Sequence, residues 1–111
     1  MPWNELGLPD NPKPSDLIRK GWTQRAAARN KSGEPVSVKL WPECPSCWCI
    51  VGAISAVYWN DKDGLLPMDP CKHMERCCDL LGLPHGYLAD WNDAPERTHQ
   101  EVIDVLERAG L

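Results

Sequence analysis

All six cysteines of this chain fall between Cys44 and Cys78, and three of them sit in Cys44-Pro45-Ser46-Cys47-Trp48-Cys49. One centre, whether a metal, a disulfide or a redox pair, is expected to tie the middle of the chain together. The chain of 111 residues allows one domain with a single modest core. Its N-terminus is polar and proline-punctuated, without the apolar segment of a secretory signal. The expected compartment is therefore the cytoplasm, where metal ligation or free thiols come before disulfides.

Cys44-Pro45-Ser46-Cys47 has the form of a zinc knuckle, because its turn points both sulfurs the same way. A tetrahedral site needs a second pair of ligands. Cys71, His73 and Cys77 offer it, with His73 and Cys77 four residues apart on one helical face. Such a zinc site would be structural, having no open coordination position. Cys49 and Cys78 read more simply as small buried hydrophobes. A disulfide between the two clusters is the alternative if the chain works outside a reducing compartment.

Two forms of thiol chemistry compete with that reading. A strand over Val36–Leu40, then the Cys-x-x-Cys turn and a helix, is locally thioredoxin-like, and a helix N-terminus would favour a thiolate. Residues 65–111 show no further strands to complete that fold. A hydrolase would use Cys49 with His73, His85 or His99 as base and Asn92 or Asp93 to orient it. Residues of these types meet readily by chance, so they do not amount to a convincing catalytic set.

The rest of the pattern is mostly helical. Residues 1–14 hold four prolines and no hydrophobic period. They read as an extended N-terminal arm pinned by Trp3, Leu6 and Leu8, before a single globular domain over 15–111. Ser15 is a plausible N-cap for a helix over 16–20, ended by Gly21. Asn30-Lys31-Ser32-Gly33 is a turn signal between arms 22–29 and 35–40, predicting a hairpin, although Ala26-Ala27-Ala28 would also suit a helix. An apolar helix is expected from about Cys47 to Trp59. Asn60-Asp61-Lys62-Asp63-Gly64 ends it and lacks the full ligand set of a calcium loop. Asp69-Pro70 starts the next helix, which carries Met74, Cys77, Cys78 and Leu81 on one face and stops at Gly82. Thr98-His99-Gln100-Glu101 is a capping box for a last helix buried through Val102, Ile103, Leu106 and Ala109. The expected class is α+β, mostly helical: about four short helices and one small β-hairpin, stapled by the Cys-rich zinc site.

The six tryptophans and absent phenylalanine make Trp22, Trp48, Trp59 and Trp91 the expected core bulk; a tryptophan-lined groove is the alternative. The formal charge of −4 argues against general nucleic-acid binding, which needs basic surface. The apolar run from Trp48 to Trp59 is too short to cross a bilayer.

Several pieces taken together resemble a known family. They are Gly21-Trp22-Thr23-Gln24, Trp48-Cys49-Ile50-Val51-Gly52-Ala53 and Trp91-Asn92-Asp93, supported by Leu81-Gly82-Leu83-Pro84 and Glu101-Val102-Ile103. In this order, over roughly residues 15–109, they resemble an uncharacterised family of small proteins from actinobacteria and their phages. The resemblance implies a cytoplasmic phage or phage-derived accessory protein, and it carries no assigned chemistry. The Cys44/Cys47 pair and the Cys71/Cys77 group lie outside the family pattern, as does Arg25, where a small residue is usual.

Gly52 and Ala53 are expected to let another element approach the central helix closely. Asn92 and Asp93 are expected to fix the turn before the last helix by side-chain to backbone hydrogen bonds. The functional alternative is a polar pocket of Gln24, Asn92, Asp93 and Arg97 beside Trp22 and Trp91, holding a small polar ligand. The expected role is a non-enzymatic accessory protein that binds a host protein or sequesters such a ligand. The alternatives are a thiol enzyme using Cys49 or Cys44/Cys47, and a structural zinc module in an assembly.

Overall fold

The computed structural model describes residues 7–9, 11–37, 45–59 and 70–111. Five helices are seen among them: α1 (Pro14–Lys20), α2 (Ile50–Trp59), α3 (Pro70–Leu81), α4 (Leu88–Asn92) and α5 (His99–Arg108). Three two-residue strands, β1 (Ala28–Arg29), β2 (Pro35–Val36) and β3 (Cys47–Trp48), form an antiparallel sheet in the order β2-β1-β3. Helix α2 is the hub, packed against α1, α3 and α4, while α5 closes over α1 and α3.

The hairpin is shorter than the sequence predicts and gains a third strand. Ala28 pairs with Val36 on one side and with Trp48 on the other. Residues 38–40 of the expected second arm lie outside the described residues. The helix expected from Cys47 starts instead at Ile50, because the backbone before it is taken up by the sheet. Trp48 N–H donates to Gly21 O (3.1 Å), Thr23 N–H to Trp48 O (3.0 Å) and Cys49 N–H to Ala27 O (3.1 Å). Propensity at Cys47 and Trp48 lost to these tertiary partners.

Helix α2 is apolar nearly all round, the pattern of a helix buried on several sides. Ile50, Ala53, Ile54 and Ala56 are fully buried. Gly52 is required by close approach: a Cβ there would lie 1.8 Å from the Ala27 carbonyl oxygen. Trp48 is also fully buried. Removing a tryptophan from water hides about 150–250 Å², on the order of 5 kcal/mol of burial at ~25 cal/mol per Å². Trp22 and Trp91 are only partly buried against this core.

Helix α1 starts one residue before the expected N-cap. Pro14 occupies the first turn, where its fixed φ suits a helix. The Lys13 N–H donates to the Asp16 carboxylate at 2.9 Å. Ser15 is buried instead of capping, because its N–H and hydroxyl both donate to Leu111 O, at 3.1 and 3.0 Å. Leu8 is buried in the core as an anchor of the N-terminal segment; Trp3 and Leu6 lie outside the described residues.

Two other helix ends follow the sequence reading, while residues 60–64 and Asp69, the expected stop of α2 and start of α3, lie outside the described residues. Gly82 takes φ 71° after α3, and the Leu83 N–H returns to Cys78 O at 2.9 Å. Thr98 Oγ1 accepts from Glu101 N–H (3.2 Å) while the Glu101 carboxylate accepts from Thr98 N–H (2.9 Å). Helix α4 is one turn that the sequence did not announce. No helix among the described residues is long and apolar enough to cross a membrane.

Candidate functional site

The six residues of the expected polar pocket do come together, and Asn92 is their centre. It ends α4 and is fully buried. Its Oδ1 accepts from Trp22 Nε1 (2.8 Å) and from the Ile50 N–H (3.0 Å). Its Nδ2 donates to Thr23 O (3.1 Å) and Asp93 Oδ1 (3.0 Å). Two bonds accepted and two donated use the full capacity of a carboxamide. One side chain thus joins the 22–25 segment, the first turn of α2 and the end of α4.

Its neighbours are committed in the same way. Gln24 Nε2 donates to Asn92 O (2.9 Å) and Ala94 O (2.8 Å). Asp93 accepts from the Arg25 N–H (2.8 Å), holding Arg25 at φ 66°, a left-handed conformation that non-glycine residues rarely adopt. Arg97 lies 4.1 Å over the Trp91 ring, donates to Trp91 O (2.9 Å) and pairs with Glu101 (3.0 Å). The Trp22 ring stacks on His99 at 5.9 Å, and His99 Nε2 contacts Ile18 O. The polar cluster is a clamp between distant segments. Contrary to expectation, the side chains of Asn92 and Asp93 reach distant segments and do not bond the turn before α5; the backbone fixes that turn, with Asp93 N–H on Ala89 O and Arg97 N–H on Ala94 O.

Cys49 stands at the N-terminus of α2, where its thiol accepts from the Gly52 N–H at 3.2 Å. It is buried, and burial pushes its pKa up, although the amides of Gly52 and Val51 work in the opposite direction. The proposed bases are engaged elsewhere. His99 lies against Ile18 and Trp22, His85 bonds Asp79 (2.9 Å), and His73 stacks on Tyr58 at 4.1 Å. Asn92 and Asp93 serve the clamp. No Cys–His–Asn arrangement is assembled among the described residues.

The expected zinc ligands are dispersed, and Cys44 lies outside the described residues. Cys47 is half-buried in β3, with its thiol 3.8 Å from Arg29 O. Cys71 is exposed in the first turn of α3. Cys77 is fully buried in the core, where desolvation, with Cys78 beside it, pushes its pKa up to about 12 despite nearby Arg76. Among the described residues no group of three or more His, Cys, Asp or Glu is placed to hold a metal; Cys47 and Cys71 are the more accessible thiols.

The sequence reading missed a groove between α2, α3 and α4. It encloses about 350 Å³, with Val51, Met74, Cys78, Leu88 and Ala89 giving it a mainly apolar lining. Glu75 and His85 stand at it as well, with Cys71 at the start of α3. The Met74/Cys78 stripe was legible in the sequence as a buried face. The far wall depends on α4, and a five-residue helix leaves too weak a period to read.

The comparisons with known proteins bear on identity and not on chemistry. No curated protein and no solved structure matches the chain. Residues 15–110 match the model of a family of unknown function, DUF6197, so the chain belongs to that family.

Proposed function

We propose that this is a small non-enzymatic binding protein that acts by holding a partner protein. The observation that carries the reading is the contrast in use of side chains. Asn92, Gln24 and Cys49 are turned inward, while Val51, Met74 and Ala89 keep apolar surface open at the α2–α3–α4 groove. Concave, mainly apolar grooves edged by a few polar groups are where binding sites usually lie. The motif resemblance supports an origin in actinobacteria or their phages, with a host protein in the cytoplasm as the partner. The sequestered small polar ligand is less well supported, since Asn92 and Gln24 spend their polar atoms on the protein itself.

Affinity capture from host lysate tests this with two variants. Ala89→Trp places an indole at the groove from an exposed position, and Cys49→Ala removes the candidate nucleophile. Retention of one identified protein by the wild type and Cys49→Ala, with loss on Ala89→Trp, is the expected result. Rapid alkylation of Cys49 in the native protein, together with an activity lost in Cys49→Ala, would overturn the reading in favour of a thiol enzyme.

A further inference from the structure

One carboxylate, Glu75, and one imidazole, His85, line the groove beside the thiols of Cys71 and Cys78. Glu75 lines it from the middle of α3, one turn after Cys71 and one turn before Asp79. His85 lines it from the turn after α3, with Nε2 2.9 Å from Asp79 Oδ1 and Nδ1 4.0 Å from Glu75 Oε1. No lysine or arginine lines the groove among the described residues. Two carboxylates face one imidazole, in a chain whose formal charge is already −4. Asp79 takes the hydrogen bond from the imidazole, and Glu75, 49% exposed, keeps a carboxylate open to a second cation.

We infer that the groove takes a basic segment of a partner protein: apolar side chains on the Val51/Met74/Ala89 lining, with a lysine or arginine beside them on Glu75. This rests on the binding reading above and adds the chemistry of the partner. Met74, half-buried, gives the lining a soft, adaptable surface suited to flexible aliphatic anchors. Tyr87, next in the chain to the lining residues Gly86 and Leu88, is 53% exposed, and a tyrosine covered by a partner is a favourable anchor at such interfaces. The carboxylates give selectivity and approach rate more than raw affinity, and they reject acidic segments by like-charge repulsion.

The test titrates the full chain with two labelled peptides of equal length, each with a Leu-Leu centre, flanked by lysines in one and by glutamates in the other. The lysine peptide should bind at least ~10-fold more tightly at low salt, and the gap should narrow as salt screens the rim. Glu75→Lys, a surface change that leaves folding intact, should reverse the order. Ala89→Trp should weaken both, with amide shifts in the wild type confined to residues around Val51, Met74 and Leu88. Equal binding of the two peptides, lost on Ala89→Trp, overturns the inference and leaves the binding reading standing. So does tight binding of a single-chain alkylammonium amphiphile with neither peptide bound, which makes the occupant a small molecule. Self-association abolished by Ala89→Trp would name a second copy as the occupant and overturn it too. Failure to bind either peptide overturns the inference alone if the lysate partner is still lost on Ala89→Trp, and both readings if it is not.

Discussion

The Asn92 clamp and the α2–α3–α4 groove lie on either side of α4 in the chain's logic, and they use their residues in opposite ways. The clamp is rich in residue types that bind ligands, yet its central carboxamide makes four bonds to the protein itself. The groove is built on residues that read as core, yet Val51, Met74 and Ala89 keep part of their apolar surface open in it. Residue type alone is a poor guide to a binding site. What matters is whether a group's bonding capacity, or its apolar surface, is spent within the fold.

The largest expected effects lie on the clamp side. Gly52→Ala drives a Cβ into Ala27 O, a backbone atom that cannot step aside without moving the sheet. It should cost about 3 kcal/mol or more in urea unfolding. Asn92→Ala strands the Ile50 N–H and the Trp22 indole N–H together. A loss of about 3 kcal/mol is expected from these orphaned donors. A fully stable Asn92→Ala protein would break the comparison, since the clamp would then be idle. Thr98→Ala removes one half of the α5 capping box and should lower stability by about 1 kcal/mol.

Groove changes should be felt in binding and scarcely in stability. Glu75→Lys should shift unfolding by no more than ~0.5 kcal/mol, because the side chain is half exposed. A large destabilisation there would make the groove a structural element after all. The smallest effect concerns pH. The hydrogen bond to Asp79, foremost, raises the His85 pKa above its ordinary value. That linkage is fully present below the unfolded value of about 6.5 and is lost as pH rises through the raised folded value. Melting curves of wild type and His85→Gln should therefore draw together towards alkaline pH. Glu101 runs the other way. Its pKa is lowered, mainly by the Thr98 N–H, so its contribution holds above the unfolded value of about 4.3 and fades as pH falls through the lowered one.

Much of the layout was legible because its signals are local. The Thr98 capping box, the Gly82 stop and the turn at Asn30–Gly33 each rest on residues a few positions apart, whereas the expected close approach at Gly52 came with the family motifs and is set by Ala27 in a distant segment. The clamp's membership was also readable, as Trp22, Gln24, Asn92, Asp93 and Arg97 do converge. Its purpose was not, because the partners of Asn92 lie up to 70 residues away and a lone sequence does not say whether they meet. Cys47 and Trp48 were misread as helix for the same reason: their strand exists only because Ala28 and Arg29 are beside them.

By itself, then, the sequence determined the capped start of α5, the glycine stop of α3, the Asn30–Gly33 turn, the apolar central helix and the family, each set by neighbours in the chain or by order of motifs. The tertiary structure alone decided which polar groups were spent and which apolar surface was left over. Both depend on contacts between segments far apart in sequence, where hydrogen-bond capacity and burial are allotted only once the chain has closed on itself.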